Sequence, residues 1–397
     1  MFKEKTALIF LIMTFVSGLC GSFFYPLSSL FIIEALGATP AMLSVYMILS
    51  ICAAVVVSQF MAVKSDKGWN RKTVLLVALS CYLITVLAFS VIRDYYLAVA
   101  VAVAVIFGSL SGSIFGQLFA LGREYADEHI EDSTTFLAIM RAGIAIAWVV
   151  GPPIAFILKA SFGFSASFAA AAVATLLSIL LAHLYLPNSV IKEKKGREES
   201  KGPFSPTIIL FSVALVFMFS ANNLYVTSMP LYLTQELKVN ASWVGYMFGF
   251  AALCEIPIML KVGRMAARFG TMKLLALSLV SGCVFFVAML HVRDFWQLLS
   301  IQLLNGVFIG VTATLGMVAI QDMMRDRLGT ASTLFSNLMQ VSMLFASLSV
   351  GFVGELYSYY WAFYICLASA LCSLLLLSYF VFNEVKADKM KLSQQVA

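Results

Sequence analysis

Two side chains in this sequence stand where charge is costly. Arg141 and Glu255 are the only lysine, arginine or acidic residues inside the long apolar runs of the chain, and a lone charge at the centre of a membrane helix costs about 3 kcal/mol on insertion scales. Arg141 lies nine residues beyond Asp132 and Glu255 six residues before Lys261. At a rise of about 1.5 Å per residue both sit roughly 9–14 Å in from those flanking charges, at one common depth. Desolvation drives a carboxyl to hold a proton, and a nearby guanidinium drives it to release one. Glu255 therefore has the chemistry of a proton carrier and Arg141 that of the charge that tunes it. The plainer readings are an Arg141 that snorkels to a headgroup layer and a Glu255 that is a neutral structural carboxyl or a direct solute ligand.

The elements that hold these residues follow from composition. The chain has 397 residues, 61% of them hydrophobic and only 12% charged, against about 25% charged in an ordinary soluble domain. That excludes a water-soluble globule. A hydrocarbon core takes about 20 apolar residues per helix, and uncharged apolar runs occur at 7–33, 43–63, 73–92, 95–121, 137–158, 165–187, 206–228, 241–260, 274–290, 295–320, 332–354 and 359–382. Twelve transmembrane helices are expected. The first follows Lys3 and Lys5 but is longer than the apolar core of about 7–15 residues in a signal peptide, so it is expected to be retained. The seven cysteines all lie in apolar runs with no CxxC pair, and His129, His183 and His291 are far apart. That excludes a disulfide scaffold, a zinc site and a bis-histidine haem, and no metal or organic cofactor is expected.

Charge sets the orientation. The N-terminus, 64–72, 122–136, 188–205, 261–273, 321–331 and the C-terminus carry 21 of the 26 basic residues, whereas the alternate connections carry Arg93, Lys159, Lys238 and Arg293. Both termini are expected in the cytoplasm, and the net charge of +6 reads as topology rather than as nucleic-acid binding. The hydrophilic stretch 188–205 reads as a cytoplasmic linker between an N-terminal six-helix bundle, 1–187, and a C-terminal one, 206–397. The halves echo each other near an offset of 200: Ala62–Lys72 with Gly263–Lys273, Ala120–Glu124 with Ala319–Met323, and Thr135, Phe136 and Gly151 with Thr333, Phe335 and Gly351. An even number of spans per repeat makes the halves parallel, which is the plan of a rocking two-bundle transporter.

The loop Asp66-Lys67-Gly68 followed by Arg71-Lys72 resembles the cytoplasmic motif G-x-x-x-D-R-x-G-R-R of the major facilitator superfamily, with Ala62 for the first glycine and one extra residue before the basic pair. Gly263 to Gly270 is a degenerate copy without the acid. Gly143 and Gly151-Pro152-Pro153 look like the glycine–proline motif of its proton-driven exporters. LFALGREYAD (118–127), MRAGIAIAWVVGPPIAF (140–156), CEIPIM (254–259) and QLLNGVFIG (302–310) resemble the bacterial sugar efflux transporter family. The resemblance implies the major facilitator fold, an all-α membrane protein of two pseudo-symmetric six-helix bundles in the bacterial inner membrane. It implies proton-linked export of small neutral sugars or glycosides such as lactose-like disaccharides and thiogalactosides, powered by the proton gradient, by a chain expected to be monomeric. In that fold spans five and eight face each other across the seam between bundles, so Arg141 and Glu255 are expected to approach in one conformation and part in the other.

Nine Asn or Gln residues fall in the spans, and six of them, Gln117, Asn222, Asn223, Gln297, Gln302 and Asn305, lie in spans four, seven and ten, which with span one line the cavity in this superfamily. A neutral carbohydrate needs paired donors and acceptors, with aromatic faces for its C–H surface. Gln117, Asn222, Asn223 and Asn305, with Tyr25, Trp148 and Tyr225, are the expected substrate-binding residues, and Tyr246 is a further aromatic candidate. Amides also join helices to one another, at about 0.6 kcal/mol per contact. Gly108, Gly112 and Gly116 read as a close-packing stripe. The resemblance makes Asp66, Lys67, Arg71 and Lys72 cytoplasmic latches, with Glu124 or Asp127 pairing with Lys67 or Arg71, and Asp322 with Arg268. The competing functions are a proton-coupled multidrug exporter, a membrane transferase, for which no carboxylate pair or metal set is present, and a structural subunit, against which the internal repeat counts.

Overall fold

A computed structural model describes residues 5–66, 69–91, 97–130, 133–187, 205–324 and 328–396. Among the described residues are twelve helices long and apolar enough to cross a membrane. Most bounds fall within a few residues of those expected. The spans expected to end at 228 and 260 instead run on to Glu236 and Phe269.

The chain forms two compact units, Met1–Lys195 with Val239–Gly249, and Gly196–Lys238 with Phe250–Ala397. The first contains α1 (Lys5–Leu30), α2 (Pro40–Asp66), α3 (Arg71–Val91), α4 (Leu97–Ile106), α5 (Ile114–His129), α6 (Ser133–Phe162) and α7 (Phe164–Tyr185). Missing side chains let α1 and α6 approach closely. A Cβ at Gly18 would come within 2.6 Å of Ala147 Cβ, one at Gly143 within 2.9 Å of Thr14 Oγ1, and one at Gly151 would overlap Ser22. Small residues of this kind are the usual means of helix approach in lipid, where no hydrophobic force pulls helices together. Phe24 anchors the interior, with ring centroids 5.0 Å from Phe89, 5.4 Å from Phe168 and 6.1 Å from Tyr82.

The glycine stripe of span four is not a simple packing face. Gly108–Ser113 is a 3₁₀ segment between α4 and α5, and a Cβ at Gly116 would meet nothing within 4 Å. Two glycines weaken the helix there, and Ser109, Ser111 and Ser113 each donate back to the carbonyl three residues earlier, competing with the helical ladder.

The second unit holds α8 (Pro206–Leu231), most of α9 (Ser242–Phe269), α10 (Thr271–Met289), α11 (Phe295–Met323), α12 (Leu328–Leu356) and α13 (Ala362–Val396). Its core is aromatic: Tyr225 lies 5.1 Å from Phe285, and Phe286 lies 6.1 Å from Phe308. Gly306 admits α9, since a Cβ there would be 2.6 Å from Cys254 Cβ.

Each unit repeats one unusual detail. α1 runs into a π-helical turn, Phe31–Ala35, and α8 into another, Tyr232–Glu236. Leu36 N–H bonds Phe31 O at 3.2 Å, and Leu237 N–H bonds Tyr232 O at 3.0 Å. Both turns end on a left-handed residue, Gly37 at φ +63° and Lys238 at φ +54°. The match falls at an offset of 201, within the repeat expected from sequence.

Candidate functional site

Tyr25 and Trp148 form an open aromatic pair in the first unit. They are 43% and 39% exposed, their centroids are 6.3 Å apart, and their planes lie within 10° of parallel. Gly21 is the floor: a Cβ there would stand 3.3 Å from the Tyr25 ring and 3.7 Å from Trp148. The 3₁₀ break in span four aims Ser111, whose Oγ lies 3.0 Å from the Tyr25 hydroxyl. Pro152 and Pro153 lie inside α6 and carry no N–H, so the carbonyls of Trp148 and Val149 lack their helical donors. Parallel faces beside hydroxyl and carbonyl groups suit a saturated ring that bears both C–H and O–H.

The amides divide. Asn222 and Asn223 are half-buried, Asn222 Oδ1 is itself buried with no hydrogen-bond partner among the described residues, and Asn223 Nδ2 donates to Ser342 Oγ at 2.9 Å. Three other expected ligands are corrected. Tyr225 is fully buried and donates to Gln302 Oε1 at 3.1 Å, the atom that also accepts from Asn305 Nδ2 at 3.0 Å. Asn305 is 1% exposed. This Tyr–Gln–Asn cluster joins α8 to α11 and buries both Tyr225 and Asn305, although among the described residues Asn305 Oδ1 is left without a hydrogen-bond partner. Gln302, which is not among the expected ligands, is its hub. Gln117 is 2% exposed and Ser65 is likewise buried. Gln117 Nε2 donates to Ser65 Oγ at 3.1 Å.

Glu255 is half-buried on α9, its Cγ and carbonyl oxygen 3.3 and 3.2 Å from where a Cβ of Gly310 would stand. Pro257 follows two residues later in α9 and leaves the Leu253 carbonyl without its helical donor. Among the described residues the Glu255 carboxylate makes no ion pair. Arg141, in the other unit, is exposed, with its guanidinium carbon 5.6 Å from the centre of the Phe119 ring.

At the α2–α3 turn Arg71 Nε donates to Glu124 Oε1 at 2.7 Å, and Arg71 Nη1 donates to Ser65 Oγ at 3.1 Å. Lys72 acts elsewhere. Its ammonium donates to the carbonyls of His183 at 2.9 Å and Leu186 at 2.7 Å, capping the C-terminus of α7, where a cation is favoured. The side chains of Asp66 and Asp127, and all of Lys67, lie outside the described residues. The expected partnership of Arg268 with Asp322 is not formed: Arg268 is exposed and lies 5.3 Å from the Phe269 ring centre. An exposed pair gains only about 0–1 kcal/mol, too little to enforce the contact.

Sequence reading missed two carboxylates, both in the π-turns. Lys159 Nζ donates to Glu34 Oε1 at 2.9 Å and Oε2 at 3.0 Å. Glu236 accepts from the backbone N–H groups of Tyr359 and Tyr360, capping the segment that opens α13. The only available signal was an acid just past the first and seventh apolar runs.

Comparison with known proteins places the chain. The model of the Major Facilitator Superfamily matches residues 10–222 and 209–396. Sugar efflux transporter A of Dickeya chrysanthemi is 35% identical over 92% of this chain and 93% of its own length. Sugar efflux transporter C of Escherichia coli (strain K12) is 33% identical over 92% and 93%. Among solved structures, nucleoside transporter NupG superposes with a TM-score of 0.71 at 16% identity over 95% of this chain and 98% of its own. A bacterial homologue of the iron transporter ferroportin, in an inward-facing state, gives 0.70 at 16% over 94% and 97%. At such identity the two structures speak to the fold alone. The family model covers nearly the whole chain and the relatives named are transporters rather than enzymes: this protein is a multi-pass membrane transporter of the major facilitator superfamily, in its bacterial sugar efflux transporter family.

Proposed function

We propose that this transporter exports small neutral sugars or glycosides, of the lactose or thiogalactoside kind, from the bacterial cytoplasm across the inner membrane in exchange for protons, by alternating access. The single observation that carries the reading is the parallel, exposed Tyr25–Trp148 pair over Gly21, in a chain whose relatives are named sugar efflux transporters. The rings take the C–H face of a sugar, while Ser111 and the freed Trp148 carbonyl serve its hydroxyls. No cofactor enters this scheme, which draws its energy from the proton gradient. Glu255 carries the proton, and Arg141 acts in the same coupling step by disfavouring the protonated form. Substituting Arg141 by Gln is therefore expected to weaken the response of transport to a pH gradient while leaving sugar-for-sugar exchange.

The deciding experiment reconstitutes the full chain in liposomes under an imposed pH gradient and follows labelled lactose beside a cationic dye. Lactose movement that collapses with an uncoupler supports the proposal. Dye movement without lactose movement overturns it and favours a multidrug exporter.

A further inference from the structure

We propose that Gln117 is a positioning residue for the Arg71–Glu124 ion pair and not a ligand of the transported solute. The proposal rests on the reading of that ion pair as a latch that closes and opens during transport. Four side chains on three helices form one chain of hydrogen bonds: Gln117 Nε2 to Ser65 Oγ at 3.1 Å, Arg71 Nη1 to the same Ser65 oxygen at 3.1 Å, and Arg71 Nε to Glu124 Oε1 at 2.7 Å. Gln117 and Glu124 both belong to α5, seven residues apart, so they lie two turns apart on one face. One helix thus holds the Arg71 guanidinium twice, directly through Glu124 and at a deeper level through Ser65 of α2.

The fork geometry of a guanidinium makes this meaningful. Two of its nitrogens engage acceptors from different directions, which fixes its plane as well as its position. Gln117 settles where the Ser65 hydroxyl oxygen stands, and so whether Arg71 meets Glu124 in line. Lys72 follows Arg71 directly and is pinned to the end of α7, so the start of α3 is held on both sides. Among the described residues Gln117 Oε1 and Glu124 Oε2 are buried with no hydrogen-bond partner. A buried acceptor without a partner carries a desolvation cost in the closed state that hydration on opening recovers, as suits a contact that must form and break in each cycle.

The test measures labelled lactose efflux from proteoliposomes of the full chain carrying Gln117→Leu, Ser65→Ala, both together, or Arg71→Met. A positioning role predicts a fall in maximal rate of about fivefold for Gln117→Leu, with KM for lactose within about twofold of the parent. It also predicts that the double variant is no slower than the slower single one, since both act through one hydroxyl. A tenfold rise in KM at unchanged maximal rate overturns the proposal and makes Gln117 a ligand, and unchanged kinetics in both single variants also overturn it. Should Gln117→Leu fail to fold, Ser65→Ala decides alone, by the same rate and KM criteria. If Arg71→Met leaves the rate unchanged, the latch reading fails. If Arg71→Met slows transport while Gln117→Leu and Ser65→Ala do not, this inference alone fails.

Discussion

Tyr25 and Tyr225 are equivalent candidates by residue type, yet one is 43% exposed and the other fully buried. The π-turns set the register of α1 and α8 at an offset of 201, which pairs Tyr225 with the buried Phe24 and not with Tyr25. A helix that is apolar all round has no polar stripe to show which face meets a cavity, so type and depth were legible and facing was not. The same limit misassigned Asn305 and Gln117. The distinction makes opposite predictions for two aromatic residues. Trp148→Ala removes a stacking face and is expected to raise KM for lactose about tenfold, with Trp148→Phe intermediate, in initial-rate efflux assays. Tyr225→Phe deletes one buried hydrogen bond, and is expected to leave KM alone while lowering stability by about 1 kcal/mol in detergent unfolding.

At the scale of elements, the spans were readable because charge ends them, and the π-turns were not, because apolar sequence continues through them into Glu34 and Glu236. The left-handed residue that closes each turn shows what the two copies share and where they differ. Gly37 takes φ +63° without penalty, whereas Lys238 takes φ +54° with a Cβ, a conformation that costs a non-glycine residue about 1 kcal/mol or more. Lys238→Gly is expected to raise stability by about 0.5–1 kcal/mol, seen as a higher unfolding midpoint, with transport unchanged. The groove made by Gly306 and Gly310 on α11 is the seat of the α9 turn that carries Glu255. A methyl at Gly310 would press on the Glu255 carbonyl and Cγ and on Ile258. Gly310→Ala is therefore expected to move the pH of half-maximal transport by about half a unit or more while preserving KM. An unchanged pH profile would remove this groove from the coupling machinery.

The whole molecule is a repeat whose copies have diverged at the turn between their second and third spans. Twelve spans and the offset near 200 were legible from hydropathy and charge. The divergence was legible in part, since the second copy of the loop motif lacks its acid, with Ala267 at the place of Asp66. In the structure the first unit forms the Arg71–Glu124 pair and Arg268 does not reach Asp322. Arg71→Met is accordingly expected to slow efflux several-fold and Arg268→Met to change it less than twofold, measured side by side in proteoliposomes.

Whether the half-buried Glu255 couples sugar to protons is tested most directly by Glu255→Gln in liposomes loaded with labelled lactose. The account predicts that export driven by a pH gradient disappears while exchange of lactose for lactose continues near the parental rate. Gradient-driven export that persists at the parental rate would contradict it.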